Sequence, residues 1–177
     1  MKRSLFLTLM LTGLFCCAVL VPVACHAEQK CNDAILASSP DSNFLLHADG
    51  TTTDNTTGLM WMRCALGQEW KGGSCNGNAA DFTWPEALKV AVPFEFGGYS
   101  DWRLPHKNEL GSIVEERCVV PSINATAFPA TTPTFFWTSS PYAGLTTAAW
   151  SVDFGYGVIT ATEKRGKIHV RLVRGEE

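Results

Sequence analysis

Four cysteines standing behind an apolar N-terminal run restrict what this chain can fold into more than any other feature: Cys31, Cys64, Cys75 and Cys118. Lys2 and Arg3 precede an apolar run over residues 5–23, and the small residues Ala24 and Ala27 follow it. That is the layout of a cleavable secretory signal over residues 1–27. Two rival uses of the segment are a membrane anchor, because the run approaches bilayer-spanning length, and a lipid-modified Cys25; Pro22 and the Cys25-His26-Ala27 exit favour cleavage. Cleavage removes Cys16, Cys17 and Cys25 and leaves an even number of cysteines in an oxidising compartment, which predicts two disulfides. Of the three connectivities, Cys64 with Cys75 is preferred, because Gly67 and Gly72-Gly73 let the short loop between them turn back. Cys31 then pairs with Cys118. A thiolate metal centre is disfavoured, since no Cys-x-x-Cys pair occurs.

About 150 residues remain, enough for one domain with a sizeable core. The net charge of −3 becomes more acidic once Lys2 and Arg3 are lost, which argues against a nucleic-acid binder. Cleavage also leaves no stable membrane span. Residues 28–43 read as an irregular lead tied down only by Cys31, and the domain proper as 44–176. Phe44-Leu45-Leu46 and Gly58-Leu59-Met60-Trp61-Met62, separated by turn formers, predict an edge hairpin. In Thr83-Trp84-Pro85-Glu86 a capping box opens a helix that buries Trp84, Ala87, Leu88 and Ala91 and stops at Pro93. Pro105 opens a second helix with Leu110, Ile113 and Val114 as its buried stripe, ending near Arg117. From Phe135 onward the pattern is β, with Phe154-Gly155-Tyr156-Gly157 as a hairpin turn. Residues 167–174 alternate, so Lys167, His169 and Arg171 are expected on one exposed strand face. The fold class is α+β: two helices packed on a mostly antiparallel sheet.

Four strings in order carry a resemblance: Thr53-Asp54-Asn55-Thr56-Thr57-Gly58-Leu59-Met60-Trp61; Tyr99-Ser100-Asp101-Trp102-Arg103-Leu104-Pro105 with Glu109-Leu110; Phe136-Trp137-Thr138-Ser139-Ser140; and Val170-Arg171-Leu172-Val173-Arg174-Gly175. Together they resemble the bacterial family of the C-terminal domain of the collagen-like adhesin Lcl, over about residues 49–175. The resemblance implies a C-type-lectin-like fold, an extracellular location and, in the adhesin itself, recognition of sulfated polysaccharide. No Gly-X-Y stretch precedes the domain here. His106 stands where members of the family tend to carry the Thr that caps the second helix. That is expected to leave Glu109 without its usual partner and to weaken the helix start by about 1 kcal/mol.

Asp101-Trp102-Arg103 has the composition of a sugar site, but an indole beside a helix start is more often core. Trp102 is therefore expected to be structural, with Asp101 and Arg103 bonding loop backbone, and Trp61, Trp137 and Trp150 to be structural too. Asp49, Asp54 and Asp153 offer oxygen ligands that no spacing gathers, so neither metal nor cofactor is expected. The resemblance extends at Trp102-Arg103-Leu104-Pro105 and Glu109 to sulfatase-activating oxidases, but with both cysteine pairs spent on disulfides no thiolate is left for chemistry, and no catalytic residue is assigned. The tentative ligand-binding set is Lys164, Arg165, Lys167, His169 and Tyr156, a basic strand and turn suited to a sulfated or phosphorylated glycan. Its structural counterpart is a charged edge that blunts strand pairing. The expected product is an exported carbohydrate-binding or adhesion module, with an envelope component holding a protein partner as the alternative.

Overall fold

The computed structural model describes residues 28–92 and 94–175. The signal segment, Pro93 as a helix stop and Glu176 as the domain end lie outside the described residues. In chain order the elements are β1 (Lys30–Cys31), β2 (Phe44–Leu46), β3 (Thr51–Asp54), β4 (Met60–Met62), β5 (Glu69–Lys71), β6 (Ser74–Asn76), α1 (Trp84–Val90), α2 (Lys107–Ser112), β7 (Cys118–Val119), β8 (Phe135–Pro141), β9 (Ala148–Asp153), β10 (Val158–Glu163) and β11 (Val173–Arg174). The strands form four small sheets: β1-β7, β10-β9-β8, β11-β4-β3-β2 and β5-β6, with every named pair antiparallel. The α+β class holds, as a set of small sheets rather than one.

Alternation along β8 and β4 separates two cores. Phe136 and Trp61 enter a cluster with Leu110, Ile113, Val152 and Phe154, while their neighbours Trp137 and Met62 enter a second with Ala87, Ala91, Trp102, Leu104, Val170 and Leu172. Successive side chains of a strand point to opposite faces, so a strand buried on both sides carries large apolar residues in succession. α1 belongs to the second cluster and α2 to the first.

Both disulfides connect as expected, Cys64 to Cys75 and Cys31 to Cys118. Five sequence expectations change. The edge hairpin is three strands, because Thr51–Asp54 pairs with both neighbours. Asp49 and Asp54 each turn the chain on either side of it by accepting the N–H and hydroxyl of the threonine two residues on. The lead is held by more than Cys31. β1 pairs with β7, and the buried Glu115 carboxylate accepts the N–H groups of Ser38 and Ser39 at 3.1 and 2.9 Å. α2 ends at Ser112 rather than near Arg117. His106 does cap α2, its Nδ1 accepting the N–H groups of Asn108 and Glu109, and Glu109 is fully engaged.

The fifth change concerns the C-terminal segment. Only Val173–Arg174 is strand, and Val170, Arg171, Leu172 and Val173 are buried consecutively. The segment runs between the two cores, so alternation no longer separates inside from outside: Val170 and Leu172 enter one cluster and Val173 the other. Arg171, expected on an exposed face, is wholly buried. It donates to the carbonyls of Met62 and Arg63 and to Thr131 Oγ1, and its guanidinium lies 4.8 Å from the Phe128 ring centre. Desolvation pushes its pKa down to about 9.

Candidate functional site

Trp102 is core, 3 % exposed, with its indole N–H donated to the Phe96 carbonyl. Its flanking residues hold side chains rather than loop backbone alone. Arg103 grips Glu109 with two bonds of 2.8 and 2.6 Å, and Asp101 accepts two from Arg174, whose guanidinium lies over Tyr99. Trp61 and Trp137 are buried as expected; Trp150 is half-buried and packs edge-on against Tyr142. Asp153 accepts the Gly155 N–H in the β9–β10 turn, so Asp49, Asp54 and Asp153 serve three separate turns. Among the described residues no three His, Cys, Asp or Glu side chains gather where they would hold a metal ion.

The five tentative ligand residues divide into three places. Lys164, Arg165 and Lys167 share the turn after β10. Tyr156 is 69 % exposed but sits in the turn before β10, a full strand length away, and does not join them. His169 points inward with its ring 12 % exposed, edge-on to Phe136 and paired through Nδ1 with Asp81 at 3.0 Å. It lines a separate cavity of about 410 Å³.

Within the turn the three cations differ. Lys164 is committed: its ammonium donates to the Thr146 carbonyl at 2.7 Å and lies 4.4 Å from the Trp84 ring centre, while its own carbonyl accepts the Trp84 N–H. Arg165 is 89 % exposed, with only a 3.9 Å approach to Glu163. Lys167 lines an open cleft of about 420 Å³ with Asp81, Phe82, Glu86, Lys89 and Val90. Lys89 was not singled out by the sequence reading. The signal was available in helical spacing, because Glu86, Lys89 and Val90 fall on one side of α1 at i, i+3 and i+4.

Asp81 and Glu86 are the carboxylates of this cleft, and Glu86 caps its own helix. The Thr83 backbone N–H and hydroxyl, at 2.8 and 2.7 Å, hold its carboxyl below the usual carboxylate range, and Lys167 and Lys89 add to the effect. With the Glu86 carboxylate engaged on its helix cap, Lys89 and Lys167 share the cleft with Asp81 and the apolar side chains of Phe82 and Val90. Such a surface attracts anions by charge and accepts an apolar ring face by contact.

Residues 50–174 match the family described as the Lcl C-terminal domain. The chain belongs to that family. No curated protein matches it. Each string that carries the resemblance has a structural use in this Lcl C-terminal domain: the Asp54 turn, the Arg103–Glu109 clamp on α2, the double-sided Phe136-Trp137 and the buried Arg171. Among the described residues no helix is long and apolar enough to cross a membrane.

Proposed function

We propose that this domain works outside the cytoplasm as a non-enzymatic carbohydrate-binding or adhesion module, and that it takes sulfated polysaccharide on the Lys89–Lys167 cleft. The reading includes export by the N-terminal signal and the C-type-lectin-like fold that the family resemblance implies. The observation that carries it is the convergence of Lys89 from α1 and Lys167 from the turn after β10 on one open cleft, with exposed Arg165 beside it. Two disulfides suit an oxidising compartment.

Retention on an immobilised sulfated polysaccharide, eluted with a salt gradient, tests it. Exposed charges are screened within about 8 Å at physiological ionic strength, so the parent domain is expected to elute as salt rises. The triple variant Lys89→Gln, Arg165→Gln, Lys167→Gln is expected to flow through with an unchanged melting curve. Retention of that variant to the same salt as the parent overturns the cleft.

A second reading, an envelope component holding a protein partner, is favoured by β10. Among the described residues β10 pairs with β9 alone, and Val158 and Ile159 are exposed on it. An unpaired edge of this kind takes an added strand from another chain. Capture of an envelope protein by the parent but not by a Thr160→Pro variant supports that reading; equal capture by both counts against it.

A further inference from the structure

We propose that the cavity lined by His169 is a second binding site, for a neutral polyhydroxyl ligand one sugar unit in size, independent of the basic cleft. Its volume of about 410 Å³ lies at the small end of the range for ligand pockets, which fits a single ring rather than a chain. Gln68, Asn78, Pro121, Thr131, Thr132 and His169 lie in its wall, and no Asp, Glu, Lys or Arg does. A ligand seated there meets amides, hydroxyls, an imidazole and apolar carbon without a full charge to neutralise it. That is the chemistry of an uncharged hydroxylated ring.

His169 is oriented for this. Its Nδ1 lies 3.0 Å from Asp81 Oδ1 and 3.2 Å from the Ala80 carbonyl, both acceptors, so Nδ1 carries a proton and Nε2 is the ring's remaining polar atom. Nε2 has no hydrogen-bond partner among the described residues. Nor do the side chains of Asn78 and Thr132, which add a donor and acceptor each. The wall behind is rigid: buried Arg171 donates to Thr131 Oγ1 at 2.8 Å, and that hydroxyl donates to the Phe128 carbonyl at 2.8 Å. Gln68 ties two sides of the cavity through the carbonyls of Gly77 and Ala130.

Backbone conformation points to the same place. Among the described residues two non-glycine residues have φ in the left-handed region, Val120 at 54° and Ala130 at 52°, and both line this cavity. That conformation is unfavourable for an L-residue and persists where surrounding structure enforces it, commonly at binding sites.

The test is an NMR titration of the full mature domain, observing the imidazole resonances of His169. The probes are free glucose, galactose, mannose, fucose and N-acetylglucosamine, with glycerol as control. At least one sugar is expected to give a saturable shift at millimolar concentration that glycerol does not reproduce. The surface variant Asn78→Ala, Thr132→Ala is expected to weaken it at least ten-fold without altering the melting curve. The Lys89→Gln, Lys167→Gln variant is expected to leave it unchanged. The proposal is overturned if no sugar shifts His169 saturably, or if the Asn78/Thr132 variant binds as tightly as the parent. Loss of polysaccharide retention in the lysine variant bears on the cleft alone, so the two sites fail separately.

Discussion

His106 and Glu109 cap each other. The His106 Nδ1 accepts the Glu109 N–H at 3.3 Å, and a Glu109 carboxylate oxygen accepts the His106 N–H at 2.8 Å. This is a capping box with an imidazole in place of a hydroxyl, and it satisfies two donors at the start of α2 that the helix itself leaves unpaired.

His106→Ala is therefore expected to destabilise the domain by about 1 kcal/mol, read as a lower urea midpoint at unchanged slope. His106→Thr restores an oxygen acceptor at the same place. It is expected to stay within about 0.5 kcal/mol of the parent, and a loss equal to that of the alanine variant would show that the ring acts by packing instead.

The clamp of Arg103 on Glu109 predicts an acid limb. Burial alone raises the Glu109 pKa, but the two Arg103 bonds and the His106 N–H outweigh it and hold the carboxyl below its ordinary 4.5. A folded-state pKa below the unfolded one gives a contribution fully present above about pH 4.5 and lost as pH falls through the folded value. Urea midpoints measured between about pH 6 and pH 3 are expected to fall on the acid side, and Glu109→Gln to flatten that slope. A parallel fall in the variant would assign the acid sensitivity to other carboxylates.

Among the described residues no carboxylate pairs with Arg171; its charge is met by two carbonyls, a hydroxyl and ring faces. Arg171→Ala is expected to cost at least about 2 kcal/mol, because buried carbonyls lose their donors. Arg171→Lys should also be destabilised, since one ammonium cannot reproduce the planar fork. Full stability in the lysine variant would show that charge, rather than geometry, is what the site requires.

Trp102→Ala is expected to cost about 3–5 kcal/mol by leaving a cavity in the cluster around α1. Differential scanning calorimetry checks it. An unchanged melting temperature with lost polysaccharide retention would move Trp102 from the core to the binding surface.

Local chemistry made much of this legible. The start of α1, the Cys64–Cys75 pairing and the β9–β10 turn follow from a cap, glycines and short-range patterning, each decided within a dozen residues. What sequence could not supply was long-range placement. Residues 168–174 alternate like a surface strand, yet packing between two cores buries Arg171 as deeply as Val170. Lys164, Arg165 and Lys167 are adjacent by chain position, whereas Lys89 and Asp81 join the two candidate sites only through α1 and the backbone that precedes it. Tyr156 is only eight positions from Lys164 in sequence, but the six residues of β10 run extended between them and carry it away.

The Cys64–Cys75 bond closes a loop whose last residue, Cys75, lines the His169 cavity, and Gly77 and Asn78 just beyond it belong to the same wall. Cleaving it would free that side of the wall from Cys64, whose neighbours Ala65 and Leu66 sit in the two cores. Oxidation therefore does more than hold the fold: in a thiol-reducing compartment the chain would lose the bond that ties this side of the cavity wall to the segment leaving β4.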